Sequence, residues 1–386
     1  MGLDFDWTDE ERAYRARIRD FLRRELPPEW GDIARHGPGS KEQTDFSRTF
    51  CPKLAEAGLL VPHWPAEWGG ADRPTWEHFI LGEEMWASGE PRGAQYMNVN
   101  WIGPTLMRYG SDEQKQRYIP PMAKGQAIWC QGFSEPNAGS DLAALRTRAV
   151  RDGDDYVING TKIWTSYAGL AETCFLLART GGADTGKAGI AIFLVPMDTP
   201  GVEVRAIPSL IGHGDIHECF FTDVRVPASS RLGAEGEAWS IIRYSLANER
   251  VGIPRYELSA RVLEEMVEDL KQQGRFDDPA IQIRAGEAAA ACEAARLLTY
   301  RVVDQKARGG APGPEANVAR FAVVTADNSV TDFGLDFLPD FFSGLNRPGY
   351  LAHHERAIVA GIAAGAAEIQ LNLIAHRFLD LPKVAS

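Results

Sequence analysis

The chain has 386 residues, 44% of them hydrophobic and 24% charged, and a formal net charge of −12. That is enough to bury a large core in two or three domains. The acidic balance argues against non-specific nucleic-acid binding, which draws its affinity from Lys and Arg on phosphates. Cys51, Cys130, Cys174, Cys219 and Cys292 are odd in number, widely spaced and without a CxxC pair. They suit free thiols in a reducing cytoplasm better than disulfides or a zinc site. The opening MGLDFDWTDEE is acidic where a signal peptide is basic, and no apolar run approaches the roughly 18 residues of a membrane span.

The first predicted element is a helix. Thr8 and Glu11 have capping-box spacing, and Tyr14, Ile18, Phe21 and Leu22 follow at helical intervals. Pro27-Pro28 ends it. Helical patterns recur near 42–58 and 74–88, separated by the turn-rich stretch 62–74, and another helix starts at Asp112. From about 126 the texture changes to short β-rich runs punctuated by Gly, Pro, Asn and Asp. Helical spacing resumes at Ala238, broken by loops near 307–316 and 339–350. The expected fold class is α+β and multi-domain: an N-terminal helical domain over 1–124, a middle antiparallel β-domain over 125–235 and a C-terminal helical bundle over 236–386. No GxGxxG follows a strand and opens a helix, so a Rossmann dinucleotide site is not expected.

Two strings carry chemistry: Gly132-Phe133-Ser134-Glu135-Pro136-Asn137-Ala138-Gly139-Ser140-Asp141-Leu142, and Asn159-Gly160-Thr161-Lys162-Ile163-Trp164-Thr165-Ser166. With RYGSDEQKQRYIPPMAKG before them and FFTDVRVP after, they resemble the acyl-CoA dehydrogenase family across nearly the whole chain. The resemblance implies FAD as cofactor and α,β-desaturation of an acyl-CoA thioester. It places Trp164 against the isoalloxazine, the Ser166 hydroxyl near flavin N5, Gln131, Phe133 and Ser134 at the pyrimidine edge, and Ser140 on flavin phosphate or the CoA arm.

The base departs from the commonest family pattern, a Glu-Gly-Thr string near the C-terminus. Aligning Glu368-Ile369-Gln370 with the usual polar-Ile-Gln run puts Ala364 where that Glu would stand. The isovaleryl-CoA dehydrogenase subgroup instead carries the base in a Leu-x-x-Glu-Arg string, and Leu246-Ala247-Asn248-Glu249-Arg250 matches it. Glu249 is therefore the expected base, with Arg250 beside base, flavin and substrate, and Glu368 the rival. His213 and His217 lack a third metal ligand and read as loop histidines. His353-His354-Glu355 reads as a solvated helix start.

The strings that bind the flavin's ADP half across a subunit boundary are missing. LKQQGRFDDPAIQ (270–282) replaces one, and Leu338-Pro339-Asp340 stands where paired glycines belong in the other. This erosion resembles the α2β2 acyl-CoA dehydrogenases of steroid side-chain degradation, in which one subunit supplies the base. The resemblance implies a paralogous partner subunit and an electron-transfer flavoprotein as acceptor. Two alternatives stay open: a catalytically silent partner subunit, and an oxygen-using acyl-CoA oxidase or flavin monooxygenase.

Overall fold

The computed structural model describes residues 6–211, 215–250, 254–310, 313–338, 340, 348–363 and 365–382, without the side chains of Ala183, Asp184, Glu249, Arg250 and Pro348. The chain divides into two compact units, one of residues 1–35, 71–91 and 250–386, the other of residues 36–70 and 92–249.

The first unit is helical: α1 (Asp9–Glu25), α2 (Trp30–Ala34), α4 (Thr75–Ala87), α8 (Tyr256–Gln272), α9 (Pro279–Ala307), α10 (Glu315–Phe337), α11 (Pro348–Ala360) and α12 (Ala367–Arg377). The capping box of α1 forms as predicted. The Thr8 hydroxyl accepts the Glu11 N–H at 3.2 Å, and the Glu11 carboxylate accepts the Thr8 N–H at 2.9 Å. In α9, Asp278 caps the N-terminus and Pro279 occupies the first turn, where a missing N–H costs nothing. Ile281, Ala285, Ala288, Cys292, Ala295, Thr299 and Val302 then form its buried stripe at helical spacing.

Two polar networks are sealed inside this unit. Glu83 of α4, 1% exposed, accepts from Arg15 at 2.5 Å and from the hydroxyls of Tyr256 at 2.8 Å and Tyr300 at 2.9 Å. In the second network Ser259 donates to Asp327 at 2.6 Å and lies 3.1 Å from His353 Nε2, while Arg255 Nε stands 3.1 Å from Asp327. His353 is therefore no solvated helix start. It sits inside α11, 2% exposed, between hydroxyls of α8 and α10. The sequence offers two adjacent histidines without saying which faces the helices.

The second unit carries α3 (Lys41–Glu56), a five-residue π-helical turn (Asn98–Ile102), α5 (Gly103–Tyr109), α6 (Asp112–Ala123), α7 (Ala238–Arg250) and one eight-stranded sheet. Its strands are β1 (Trp129–Gly132), β2 (Arg148–Asp152), β3 (Asp155–Ser166), β4 (Thr173–Arg179), β5 (Ile190–Pro196), β6 (Val202–Ala206), β7 (Ile216–Pro227) and β8 (Arg231–Leu232). The order is β6-β7-β3-β2-β4-β5-β8, with β1 pairing β4. Most pairs are antiparallel, as expected, but β1 and β2 both run parallel to β4. Helix α6 also passes through Pro120-Pro121 to Ala123, further than its start at Asp112 suggested.

Candidate flavin site on strands β1 and β3

Strand β3 shows how a period of two is bent to present a side chain. Tyr156, Ile158 and Lys162 are buried at even positions, and Thr165 is buried at an odd one. The register with β7 jumps between Lys162 and Thr165, so Ile163 and Trp164 together oppose one residue, Glu218. Strict alternation would send Trp164 to the Lys162 face, into the core; the bulge turns it outward. Trp164 is 58% exposed at φ +58°, a left-handed backbone that costs a bulky residue about 1–3 kcal/mol. A strained backbone holding an indole in the open is the arrangement expected of a wall awaiting a flat ligand.

Around this wall lie the other residues predicted from the motifs. Gln131 on β1 is half-buried, and its Nε2 is sealed from water without an acceptor among the described residues. Such an orphan donor calls for a ligand acceptor. Phe133, half-buried, has its ring 5.9 Å from that of Phe175. Ser134 accepts the Ile163 N–H on its carbonyl at 2.9 Å, which places the first string beside the second. Ser166 is half-buried at the end of β3, and Ser140 is exposed on the turn beyond the Glu135–Ala138 bridge. Gln131, Phe133, Ser134, Trp164 and Ser166 therefore belong to one continuous region of strands. These donors and the exposed aromatic face fit a flavin, which needs an apolar wall and hydrogen bonds at its polar edge.

The turn after Ser166 has its own support. The Tyr167 N–H donates to the Asp215 carbonyl at 2.9 Å, and Asp215 Oδ1 accepts the Gly39 N–H at 2.6 Å. His217 lies opposite Thr165, 4% exposed, so it is a buried strand residue and not the loop histidine expected. Burial holds its imidazole below its ordinary pKa. A Cβ on Gly169 would stand 2.7 Å from His217 Nε2, so only glycine lets the turn close over the ring. His213 lies outside the described residues. Among those described, no cluster of His, Cys, Asp or Glu could hold a metal. All five cysteines are buried and free, and burial pushes the Cys219 thiol up to about 12, so it is no nucleophile.

Helix α7 carries the predicted base. Ala238, Ile241, Ile242 and Ser245 are buried and mark one stripe, and position 249 follows Ser245 by one turn. The side chains of Glu249 and Arg250 lie outside the described residues, as do Ala364 and Pro339. The Ser245 hydroxyl is fully buried without a partner among the described residues. The rival Glu368 is exposed in the first turn of α12.

Three contributors escaped the sequence reading. Lys162 and Glu135 form a buried pair at 2.8 Å behind the wall. Asn98 accepts the Trp129 N–H at 3.2 Å and donates to the Ala127 carbonyl, tying the π-helical turn to the start of β1. Lys162 and Glu135 stood inside the recognised strings. A Lys on the inward phase of a strand is the signal that could have singled it out.

Family models match along most of the chain: acyl-CoA dehydrogenase N-terminal domain over 8–126, middle domain over 130–224 and C-terminal domain over 236–379. Acyl-CoA dehydrogenase IpdE1 of Mycobacterium tuberculosis is 33% identical over 381 residues, covering 96% of this chain and 98% of the relative. Human mitochondrial short-chain specific acyl-CoA dehydrogenase is 32% identical over 373 residues, covering 94% and 88%. Among solved structures, the Tcur3481-Tcur3483 steroid ACAD superposes with a TM-score of 0.89 at 29% identity, over 99% of this chain and 100% of that one. The ChsE4-ChsE5 complex of Mycobacterium tuberculosis gives a TM-score of 0.86 at 26% identity, over 99% and 100%.

Proposed function

The chain belongs to the acyl-CoA dehydrogenase family of FAD-dependent oxidoreductases, and we propose that it desaturates an acyl-CoA thioester with Glu249 as the base. The observation that carries this reading is the β3 bulge, which exposes Trp164 on the strand that the Ser134 carbonyl ties to the string following Gln131. When bound, FAD supplies the acceptor for the β-hydride. Trp164 would pack against its ring, Ser166 would donate near N5, and Gln131, Phe133 and Ser134 would hold the pyrimidine edge. Ser140 contacts phosphate or the CoA arm.

Glu249 takes the α-proton as the hydride leaves Cβ, leaving a double bond between the two carbons. The α-proton is weakly acidic, so the negative charge reaching the thioester oxygen needs donors aimed at it. A general base for this step works best with a pKa near neutrality, which a carboxylate gains only in a dry pocket. Arg250 stands next in the chain as a cation for base and substrate.

The working assembly in this reading pairs the chain with a paralogous subunit as α2β2. Leu338 and Asp340 occupy positions where side chains obstruct a phosphate approaching the backbone, so the partner holds the ADP half. The likeness to the ChsE4-ChsE5 complex supports a paired assembly. Electrons leave through an electron-transfer flavoprotein, and the free, buried thiols support a cytoplasmic location. No described helix is long and apolar enough to cross a membrane.

Co-expression with a neighbouring paralogue, native mass spectrometry and flavin counting test the assembly, followed by anaerobic bleaching with a panel of acyl-CoA thioesters. The reading expects two flavins per mixed tetramer and bleaching by at least one thioester class. Four flavins in a stable tetramer of this chain alone overturn the heteromer. A yellow protein that no acyl-CoA bleaches overturns the dehydrogenase.

A further inference from the structure

Lys162 does something no surface lysine does. Its side chain is 0% exposed, and its Nζ donates to the Phe133 carbonyl at 3.1 Å and to Glu135 Oε1 at 2.8 Å. Glu135 in turn accepts the Thr147 N–H on Oε1 at 2.9 Å and the Arg146 N–H on Oε2 at 2.6 Å. One ion pair therefore joins three stretches of chain: the segment at the pyrimidine edge, the strand bearing Trp164 and the start of β2.

The sheet alone does not set the height of that strand segment. The β3–β7 register shifts between Ile158 and Gly160 and again between Lys162 and Thr165, so Gly160–Lys162 is bracketed by two irregularities. A ladder broken on both sides leaves register weakly specified, and a side-chain peg can supply what the ladder does not. On the other side Gly132 has no latitude: a Cβ there would stand 2.8 Å from both Cys174 Sγ and Leu176 Cδ1.

We propose that Lys162 and Glu135 are the positioning pair of the flavin site, setting the Phe133–Ser134 backbone at its working distance from Trp164 so that flavin affinity depends on the pair. This rests on the flavin reading above. The alternative is a pair that merely stabilises the fold. Buried ion pairs are weak stabilisers, since desolvation offsets most of their attraction and apolar pairs of similar volume often do as well. An apolar pair would fill the space but could not donate to the Phe133 carbonyl, nor accept from Arg146 and Thr147.

The test compares Lys162→Met, the neutral double variant Lys162→Met with Glu135→Gln, and the wild-type protein with any partner subunit that co-purifies. Each is stripped of flavin, assayed for urea midpoint, and titrated with FAD while flavin fluorescence is read. The double variant avoids leaving a lone buried carboxylate. For the double variant the expected result is an apoprotein midpoint close to wild type with FAD Kd weakened about tenfold to thirtyfold, the worth of one or two misplaced hydrogen bonds, whereas Lys162→Met alone leaves Glu135 unpaired and should also lower the midpoint. An FAD Kd within about twofold of wild type in a folded variant overturns the proposal. So does affinity lost only in step with apoprotein stability, because the pair would then serve the fold alone. Wild-type protein that takes up no FAD even when co-expressed with its paralogous partner overturns the flavin reading itself, a different outcome from an unchanged Kd.

Discussion

Two buried polar networks of this protein look alike and do different work. In the helical unit, Asp327, Ser259, His353 and Arg255 are turned toward one another, and helices surround them. In the β-unit, Lys162 and Glu135 are as deeply buried, but their bonds go to backbone segments whose other members present Trp164, Ser134 and the unsatisfied Gln131 amide. The first network joins side chains of α8, α10 and α11 and holds helices. The second holds the wall of a site. Burial and charge do not distinguish them; the destination of the hydrogen bonds does.

The largest expected effect falls on the closed network. Asp327→Ala leaves the largely buried Arg255 charge without its counter-ion and the Ser259 hydroxyl without its acceptor, and should cost about 3–5 kcal/mol of stability by urea unfolding. FAD affinity of the protein that remains folded should not change. A large fall in affinity at unchanged stability would erase the distinction between the networks.

Next comes acid stability. Burial holds His353 down to about 4, against 6.5 for the exposed ring, with Asp327 opposing and Arg255, Arg356 and His354 reinforcing the shift. Its folded pKa is depressed, so the unfolded chain takes up a proton first as pH falls. The contribution is complete above pH 6.5, is lost between 6.5 and about 4, and is flat below. The loss is about 3 kcal/mol. The stability difference between pH 7.5 and 4 should therefore shrink by roughly that amount in His353→Gln. An unchanged difference would show that His353 does not titrate as its burial requires.

The smallest stability effect is expected at the site wall. Trp164→Gly relieves the left-handed backbone and removes an exposed ring, so apoprotein stability should stay within about 1 kcal/mol of wild type or rise. FAD binding should weaken nonetheless. A lower urea midpoint with unchanged FAD affinity would make Trp164 a structural residue.

The same contrast explains what the sequence could and could not disclose. The order of helices, β-domain and helices was legible because apolar spacing changes from helical to strand-like near residue 126 and back at Ala238. The capping box at Thr8 and Glu11 was legible because it is local. The motif strings placed Gln131, Trp164 and Ser166 together. The Trp164 bulge was not legible, because a register shift depends on the partner strand. Lys162 with Glu135, and Asp327 with His353, were invisible for a related reason. Each pair is distant in sequence, and composition does not tell a buried Lys or His from a solvated one. The parallel pairing of β1 with β4 is likewise a property of topology.

The central claim is that Glu249 removes the α-proton at this flavin wall. Its most direct test is the anaerobic rate of flavin bleaching by an acyl-CoA thioester that bleaches the wild-type protein, measured for Glu249→Gln in the same assembly. Gln keeps the shape and removes the basicity. The account predicts a rate lower by about 10²–10⁴-fold, the usual worth of a general base, with FAD content and acyl-CoA binding retained. Near-normal bleaching in Glu249→Gln would contradict it and return the exposed Glu368 to consideration.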